Sequence, residues 1–215
     1  MRNNSLNGRR ISLLRFCCLM FVLLPEISTA GLFGYKENER KNLNIFPQWL
    51  SVLERNIKQN APQGNCETKE LDQCHVKNWL GYLKSIRHLP KIKQINKVNF
   101  YANEHDYILD IENYGVNDYW ATPGEFLNNS GDCEDYAITK MLSLKMLGFD
   151  MRGIRLVVLQ DTNLRMAHAV LAVSTKNDIL ILDNQVDEVV SHRHVLHYVP
   201  VYAVNENNWW MFLPQ

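Results

Sequence analysis

The stretch Gly131-Asp132-Cys133-Glu134-Asp135-Tyr136-Ala137-Ile138-Thr139-Lys140 decides how this chain is interpreted. Between Cys133 and Gly148, apolar or small residues recur every three to four positions among good helix formers. This spacing predicts a buried helix that begins at Cys133 and ends near Gly148. A thiol in the first turn lies at the positive end of the helix dipole, which favours the reactive thiolate. We therefore interpret Cys133 as a catalytic nucleophile.

The composition excludes few classes of protein. The chain has 215 residues, 46% of them hydrophobic, and a formal net charge of zero, so nothing indicates a nucleic-acid partner. Arginines precede the apolar residues 16–24, and Ser28-Thr29-Ala30 resembles a cleavage site, which predicts a signal peptide over residues 1–30. An uncleaved anchor is the alternative, but the apolar run is shorter than the roughly 20 residues that span a bilayer. We expect residues 31–215 to form one domain that is not an integral membrane protein.

Three cysteines follow the predicted signal peptide: Cys66, Cys74 and Cys133. In an oxidising compartment, Cys66 and Cys74 could form a disulfide and leave Cys133 as the odd thiol. The alternative is that both stay reduced, because sequence spacing does not determine disulfide geometry.

The remaining pattern changes from helical to extended along the chain. Apolar stripes predict helices over residues 42–60, 75–86 and 91–103. After Gly148, β-branched residues with a period of two predict strands over 154–159, 167–173, 179–182 and 199–204. This order predicts an α+β fold, in which a helical N-terminal half and the cysteine helix pack on an antiparallel sheet.

A base for Cys133 and a residue to orient that base are found in two neighbouring strands. If the strands form a hairpin around Lys176-Asn177, paired residue numbers sum to 353 and Val170 faces Asp183. His168 is then the diagonal neighbour of Asp183 on the same face, about 7–8 Å away by Cα. Separately, each residue has an ordinary explanation, a buried histidine and a turn aspartate. Together with Cys133 they favour a catalytic set.

The acidic residues Asp132, Glu134 and Asp135 flank the proposed nucleophile. Their negative charges would raise the pKa of the thiol and oppose the helix dipole. A bound Ca²⁺ ion would remove this conflict, because carboxylate oxygens are its preferred ligands. The alternative is that the acids only cap the helix, with Asp132 and Asp135 as a reciprocal pair. The histidine-rich residues 192–197 offer no carboxylate or thiol to complete a metal site, and we interpret them as a surface loop.

Several motifs now resemble one family. They are Asp118-Tyr119-Trp120-Ala121-Thr122-Pro123-Gly124-Glu125-Phe126-Leu127, Gly131-Asp132-Cys133-Glu134-Asp135-Tyr136-Ala137, Ala167-His168-Ala169-Val170-Leu171 and Leu182-Asp183-Asn184, with residues 96–100 before them. In this order they resemble the LapG-type bacterial transglutaminase-like cysteine proteinases. The resemblance implies a papain-like or transglutaminase-like fold, with Cys133 as nucleophile, His168 as general base and acid, and Asp183 as the residue that orients His168.

The resemblance also implies a biological role. Members of the family act in the periplasm, where they cut the N-terminal region of a large surface adhesin at a paired-alanine site and so promote biofilm dispersal. The family's calcium dependence implies, by position, that Asp132, Glu134 and Asp135 are the calcium ligands. The periplasmic domain of an inner-membrane cyclic di-GMP receptor is the implied inhibitor. Two rival functions remain, an acyl-transferring transglutaminase and a non-catalytic calcium-dependent binding module.

Overall fold

The computed structural model describes Met1, residues 31–59 and residues 73–214. The predicted signal peptide lies outside the described residues apart from Met1, and so does Cys66. The cleavage site and the Cys66–Cys74 disulfide therefore stay predictions. No helix in the described ranges is both long enough and apolar enough to cross a bilayer.

Six α-helices occupy the first two thirds of the described chain. They are α1 Pro47–Gln59, α2 Gln73–Ile86, α3 Lys91–Asn103, α4 Asp110–Asn113, α5 Pro123–Asn129 and α6 Cys133–Met146. The three predicted N-terminal helices are confirmed, but α1 starts later than expected, because Leu43–Ile45 form a separate 3-10 turn before Pro47. Proline is favoured at a first helical position, where its missing N–H costs nothing.

Helix α6 lies at the centre of the molecule. Its residues from Asp135 to Leu144 are all buried, so it is covered on every side rather than on a single stripe. It begins at Cys133 as predicted, and Gly148 adopts a φ of 81° just after its end. A positive φ favours glycine, which explains the stop signal.

Within the described ranges, the sheet has seven antiparallel strands in the order β1-β7-β6-β2-β3-β4-β5. The strands are β1 Lys36–Arg40, β2 Ile154–Asp161, β3 Met166–Ser174, β4 Ile179–Leu182, β5 Val190–Ser191, β6 Tyr198–Val204 and β7 Trp209–Leu213. The four predicted strands are confirmed, and so is the α+β class. Strands β1, β5 and β7 were not predicted, and β1 adds an N-terminal strand to an otherwise C-terminal sheet.

The two faces of the sheet bury different residues. Helices cover one face, where Leu156, Leu171 and Leu182 join the main core. On the other face Val157, Val170 and similar side chains form a second cluster, closed by Leu32 and Tyr198. Since side chains alternate along a strand, His168 shares the second face with Val170.

The predicted hairpin register is confirmed. Strands β3 and β4 pair Leu171 with Leu182 and Ala172 with Ile181. The two residue numbers in each pair sum to 353, as a turn at Lys176-Asn177 requires. The register therefore places His168 and Asp183 as diagonal neighbours on one face.

We predict that Gly131→Ala destabilises the protein by about 1–3 kcal/mol, the usual cost of overpacking a core. An added Cβ would lie 2.9 Å from Cβ of Asp135 and closer still to its Oδ2. Gly81→Ala is the matched control, because Gly81 lies in α2 with nothing within 4 Å of the added Cβ. Helix propensity should make that control about 0.5–1 kcal/mol more stable. Urea denaturation measures both changes, and an equally stable Gly131→Ala would contradict the packing argument.

Candidate active site

Cys133 is the first residue of α6 and is partly exposed. Its thiol donates a hydrogen bond to Oε2 of Glu134 across 3.2 Å, and the backbone N–H of Ala169 donates to the sulfur. Ala169 directly follows His168 in β3. The fold therefore brings the start of α6 to the strand that carries the predicted base.

His168 and Asp183 form a buried pair, each 4% exposed. Nε2 of His168 lies 2.9 Å from Oδ1 of Asp183. This contact leaves Nδ1 as the ring nitrogen available to exchange a proton. An imidazole held in this way has a defined orientation and tautomer, which a general base requires.

Asp183 has further partners that hold its carboxylate in place. The hydroxyl of Tyr198 donates to Oδ2, and the backbone N–H of Gln185 donates to Oδ1 across 3.0 Å. Nδ2 of Asn103 in α3 donates to the carbonyl oxygen of Asp183 across 2.9 Å. Burial acts to raise the pKa of the Asp183 carboxyl, but the hydrogen bonds and charge of His168, with Gln185 and Tyr198, bring it below its ordinary value.

The thiol is in the opposite electrostatic situation. Burial raises the pKa of Cys133 well above its ordinary value, and the charges of Glu134 and Asp132 raise it further. The N–H of Ala169 acts in the other direction but does not compensate. The predicted conflict between the acids and a thiolate is therefore present in the structure.

The acidic cluster is larger than the sequence indicated. Ligand oxygens of Asp110, Asp118 and Glu134 lie within 4.8 Å of one another, and so do those of Asp110, Asp132 and Asp135. Oδ1 of Asp110 and Oδ1 of Asp132 are buried and have no hydrogen-bond partner in the described part of the chain. Buried carboxylate oxygens usually have a partner.

Burial and the proximity of the acidic side chains to one another change their pKa values. Burial raises the pKa of Glu134 to about 9, with the hydrogen bond and charge of Asp132 adding to the effect. Burial likewise raises the pKa of Asp110 to about 6, and the N–H of Tyr119 limits the shift. The proximity of the acids therefore disfavours ionisation of Glu134. A divalent cation would relieve the repulsion and occupy the free oxygens, so these residues fit Ca²⁺.

Asp135 differs from the other acids because its oxygens already have partners. Oδ1 accepts the N–H of Ala121 across 2.6 Å, and Oδ2 accepts the N–H of Asp132 across 3.3 Å. The second bond belongs to the reciprocal cap that the sequence offered as an alternative to metal binding. Capping and metal binding are compatible here, because a carboxylate oxygen has more than one lone pair.

Side-chain hydrogen bonds hold residues 118–120, which precede α5, in place. Arg55 of α1 donates to the hydroxyl of Tyr119 across 2.8 Å and to the carbonyl oxygen of Trp120. The indole N–H of Trp120 donates to Oδ1 of Asp118 across 3.0 Å. Trp120 thus orients a member of the acidic cluster.

The sequence patterns did not indicate that Tyr198, Asp110 and Asp118 belong to the site. Asp118 stood in a quoted motif, but neither Tyr198 nor Asp110 had a signal in its local pattern. Among the histidine-rich residues 192–197, His192 is buried and accepts the N–H of Phe33 at Nδ1, so the surface-loop interpretation is wrong for that residue. The 3-10 turn His192–His194 packs against the N-terminal segment.

With this geometry established, comparison with known proteins gives a family. The family model described as bacterial transglutaminase-like cysteine proteinase BTLCP matches residues 60–215. The chain belongs to this family. Among curated proteins, none matches it.

Solved structures agree with the family. The chain is similar to Legionella pneumophila LapG, with 27% identity and a TM-score of 0.59 over 74% of this chain and 87% of that one. The calcium-bound form of LapG is 26% identical, with a TM-score of 0.59, and the match covers 75% of this chain and 86% of that one. The EGTA-treated form of LapG is 27% identical, with a TM-score of 0.59, and the match covers 74% of this chain and 84% of that one. This cysteine proteinase therefore has the transglutaminase-like fold that its motifs implied.

For this proteinase we predict a stability contribution of Asp183 that depends on pH. Because its pKa is lower in the folded state than 3.8, ionised Asp183 stabilises the fold above that value. The contribution is lost as the pH falls through the folded pKa. Urea denaturation of wild type and Asp183→Asn at about pH 7, 5 and 3 should therefore give a difference that shrinks at the lowest pH.

The exposed acid Glu112 supplies the control through Glu112→Gln. If that variant followed the same pH dependence, overall charge rather than the hydrogen bonds of Asp183 would account for the result.

Proposed function

We propose that this cysteine proteinase is a calcium-dependent periplasmic endopeptidase that cuts the N-terminal region of a large surface adhesin. The observation that carries the proposal is the His168–Asp183 pair beside the start of α6, with an acidic cluster around the nucleophile. The first part supplies the chemistry of peptide hydrolysis. The second supplies a reason for dependence on a cation.

In the proposed reaction, Nδ1 of His168 takes the proton of the Cys133 thiol, and the sulfur attacks the scissile carbonyl carbon. His168 then gives that proton to the leaving amine, and an acyl-enzyme forms on Cys133. A water molecule, deprotonated by His168, hydrolyses the thioester and releases the second fragment. Asp183 keeps Nε2 engaged throughout, which fixes the orientation of the ring.

The start of α6 also helps to bind the developing oxyanion. Cys133 is the first helical residue, so its backbone N–H has no acceptor within the helix. This N–H and the helix dipole point toward the position where negative charge develops during attack.

The ion would be held by Asp132, Glu134 and Asp135, together with Asp110 and Asp118. When bound, Ca²⁺ supplies positive charge that offsets these carboxylates. The structural support is the pair of buried oxygens on Asp110 and Asp132, which have no hydrogen-bond partner among the described residues. Release of Glu134 from its hydrogen bond with the thiol would remove one of the interactions that raise the pKa of Cys133.

The location, substrate and inhibitor are supported by the family resemblance and by the signal peptide predicted over residues 1–30. They lead us to propose an adhesin with a paired-alanine site as substrate, biofilm dispersal as the result, and a cyclic di-GMP receptor in the inner membrane as the inhibitor. Membership in a proteinase family favours hydrolysis over glutamine acyl transfer and over a non-catalytic binding module.

We expect Cys133→Ala to abolish cleavage of an adhesin N-terminal fragment while the protein stays folded. Mass spectrometry of the products identifies two peptide fragments for the wild type. Ammonia release with a crosslink would instead indicate a transglutaminase. Circular dichroism checks the fold of the variant, and retained cleavage by folded Cys133→Ala would refute the mechanism.

Chelation should test the ion independently of the nucleophile. Cleavage should stop in excess EGTA and return with added Ca²⁺, and Ca²⁺ should raise the melting temperature, because a ligand that binds only the folded state stabilises it. Glu134→Gln should weaken both effects. The exposed Glu112→Gln is the matched control and should respond to Ca²⁺ as the wild type does. Full activity in excess chelator would disprove calcium dependence.

A further inference from the structure

Phe33 has a strained backbone. Its φ is 53° and its ψ is 20°, in the left-handed region that bulky residues rarely adopt. A glycine at this position would adopt the same conformation without strain. The backbone conformation therefore does not explain a phenylalanine here. A strained residue of this kind points to a role for its side chain.

Phe33 is held at both its backbone and its ring. Its N–H donates to Nδ1 of His192 across 3.0 Å, and the two rings meet edge-on with their centroids 6.3 Å apart. The preceding residue, Leu32, is fully buried, and its N–H donates to Oε1 of Glu37 across 2.9 Å. These contacts fix residues 31–35 against the sheet.

The ring of Phe33 also packs against the ring of Tyr198. The two rings are perpendicular with their centroids 5.8 Å apart, which is a favoured arrangement of aromatic side chains. Tyr198 is buried, and the centroid of its ring lies 5.8 Å from that of His168. Its hydroxyl donates to Oδ2 of Asp183. Direct contacts therefore connect the N-terminal segment with the His168–Asp183 pair.

A cavity beside Tyr198 makes the contact with Phe33 important. Its volume is about 640 Å³, and the residues that line it include Phe33, Tyr35, His192, Val195, Leu196 and Tyr198. A side chain that borders open space has fewer contacts to fix it than one in a close-packed core. The ring of Phe33 therefore limits movement that packing on the cavity side does not prevent.

The hydroxyl of Tyr198 completes the set of donors around the Asp183 carboxylate. Oδ1 is engaged by Nε2 of His168 and by the N–H of Gln185, and Oδ2 is engaged by Tyr198. A carboxylate with donors on both oxygens cannot rotate without breaking a hydrogen bond. Loss of the hydroxyl would leave a buried oxygen without this donor and would free the carboxylate to turn.

We propose that Phe33 and Tyr198 are positioning residues for the catalytic pair, an inference that rests on the proposed function. Phe33 holds the ring of Tyr198, whose hydroxyl holds the Asp183 carboxylate in the orientation that engages His168. Both residues act through Asp183, so they affect turnover rather than substrate binding. The family model matches residues 60–215, so an N-terminal segment outside the match completes the active site.

The test uses the purified protein with Ca²⁺ present. Tyr198→Phe removes only the hydroxyl, and Phe33→Gly removes the ring and suits the positive φ. Tyr35→Ala is the matched control, because Tyr35 packs against the same second cluster and, among the described residues, its ring forms no aromatic pair with Tyr198.

Two activities are measured, together with the melting temperature. One is cleavage of the adhesin N-terminal fragment, which gives kcat and KM. The other needs no substrate: iodoacetamide alkylates Cys133 at neutral pH, and mass spectrometry follows the peptide that carries it. The thiolate is the form that reacts, so the alkylation rate reports proton transfer to His168.

For Tyr198→Phe we expect kcat to fall by about tenfold and KM to stay within about twofold, because His168 loses its fixed orientation. Phe33→Gly should lower kcat by about three- to fivefold, since the hydroxyl keeps part of its contact. The double variant should lose at most about twofold beyond Tyr198→Phe, because both changes act through one hydroxyl. Alkylation of Cys133 should slow in the same order, and Tyr35→Ala should keep the wild-type values.

A purely structural role would lower the melting temperature without slowing the folded enzyme. An unchanged kcat in Tyr198→Phe or Phe33→Gly, an equal loss in Tyr35→Ala, or additive losses in the double variant would overturn the inference. Faster alkylation in Tyr198→Phe would also overturn it, because the hydroxyl would then only withdraw charge from Asp183.

Phe33→Leu serves if Phe33→Gly does not fold. Failure of both to fold, or of Tyr198→Phe, would make the residue concerned a structural one and overturn the inference. A wild type that does not cut the fragment would refute the proposed function, and the alkylation rates would still decide the roles of Phe33 and Tyr198. Equal alkylation rates in wild type and variants would refute those roles alone.

Discussion

The start of α6 depends on the carboxylate of Asp135, which is 0% exposed and joins two separate parts of the chain. Its oxygens accept the backbone N–H groups of Ala121 and Asp132, which would otherwise lose their partner inside the protein. Gly131 makes the approach possible, because any side chain there would collide with Asp135. The position of Cys133 is therefore set by a buried polar contact rather than by apolar packing.

Holding the start of α6 through the Asp135 carboxylate has an electrostatic consequence. Asp135 adds its charge to a region already occupied by Asp110, Asp132 and Glu134, and burial strengthens the repulsion. The acids that define the helix start therefore also oppose the thiolate that the helix dipole favours. On the sheet side of the site the ionised form is favoured instead, because several hydrogen-bond donors converge on Asp183 and lower its pKa. One carboxylate is thus stabilised as an ion while the others are crowded.

Local patterns predicted much of this arrangement, and the misses have physical reasons. Helix α3 and strand β4 have the predicted bounds, because Pro90 marks the start of the helix and polar turn residues precede the strand. Strand β1, Lys-Glu-Asn-Glu-Arg, is an edge strand without apolar alternation, and its pairing with β7 alone makes it a strand. Helix α5 had a readable signal, Thr122-Pro123 followed by Glu125, which forms a capping box in the structure.

The sequence by itself determined the helix that begins at Cys133 and the hairpin register that pairs His168 with Asp183. Both follow from periodicity and turn length, which act over short distances along the chain. Only the tertiary structure decided that Tyr198 bonds to Asp183 and that Asp110 joins the acidic cluster. These contacts join elements that meet only when the helices pack on the sheet, and no local pattern records which side chains then become neighbours.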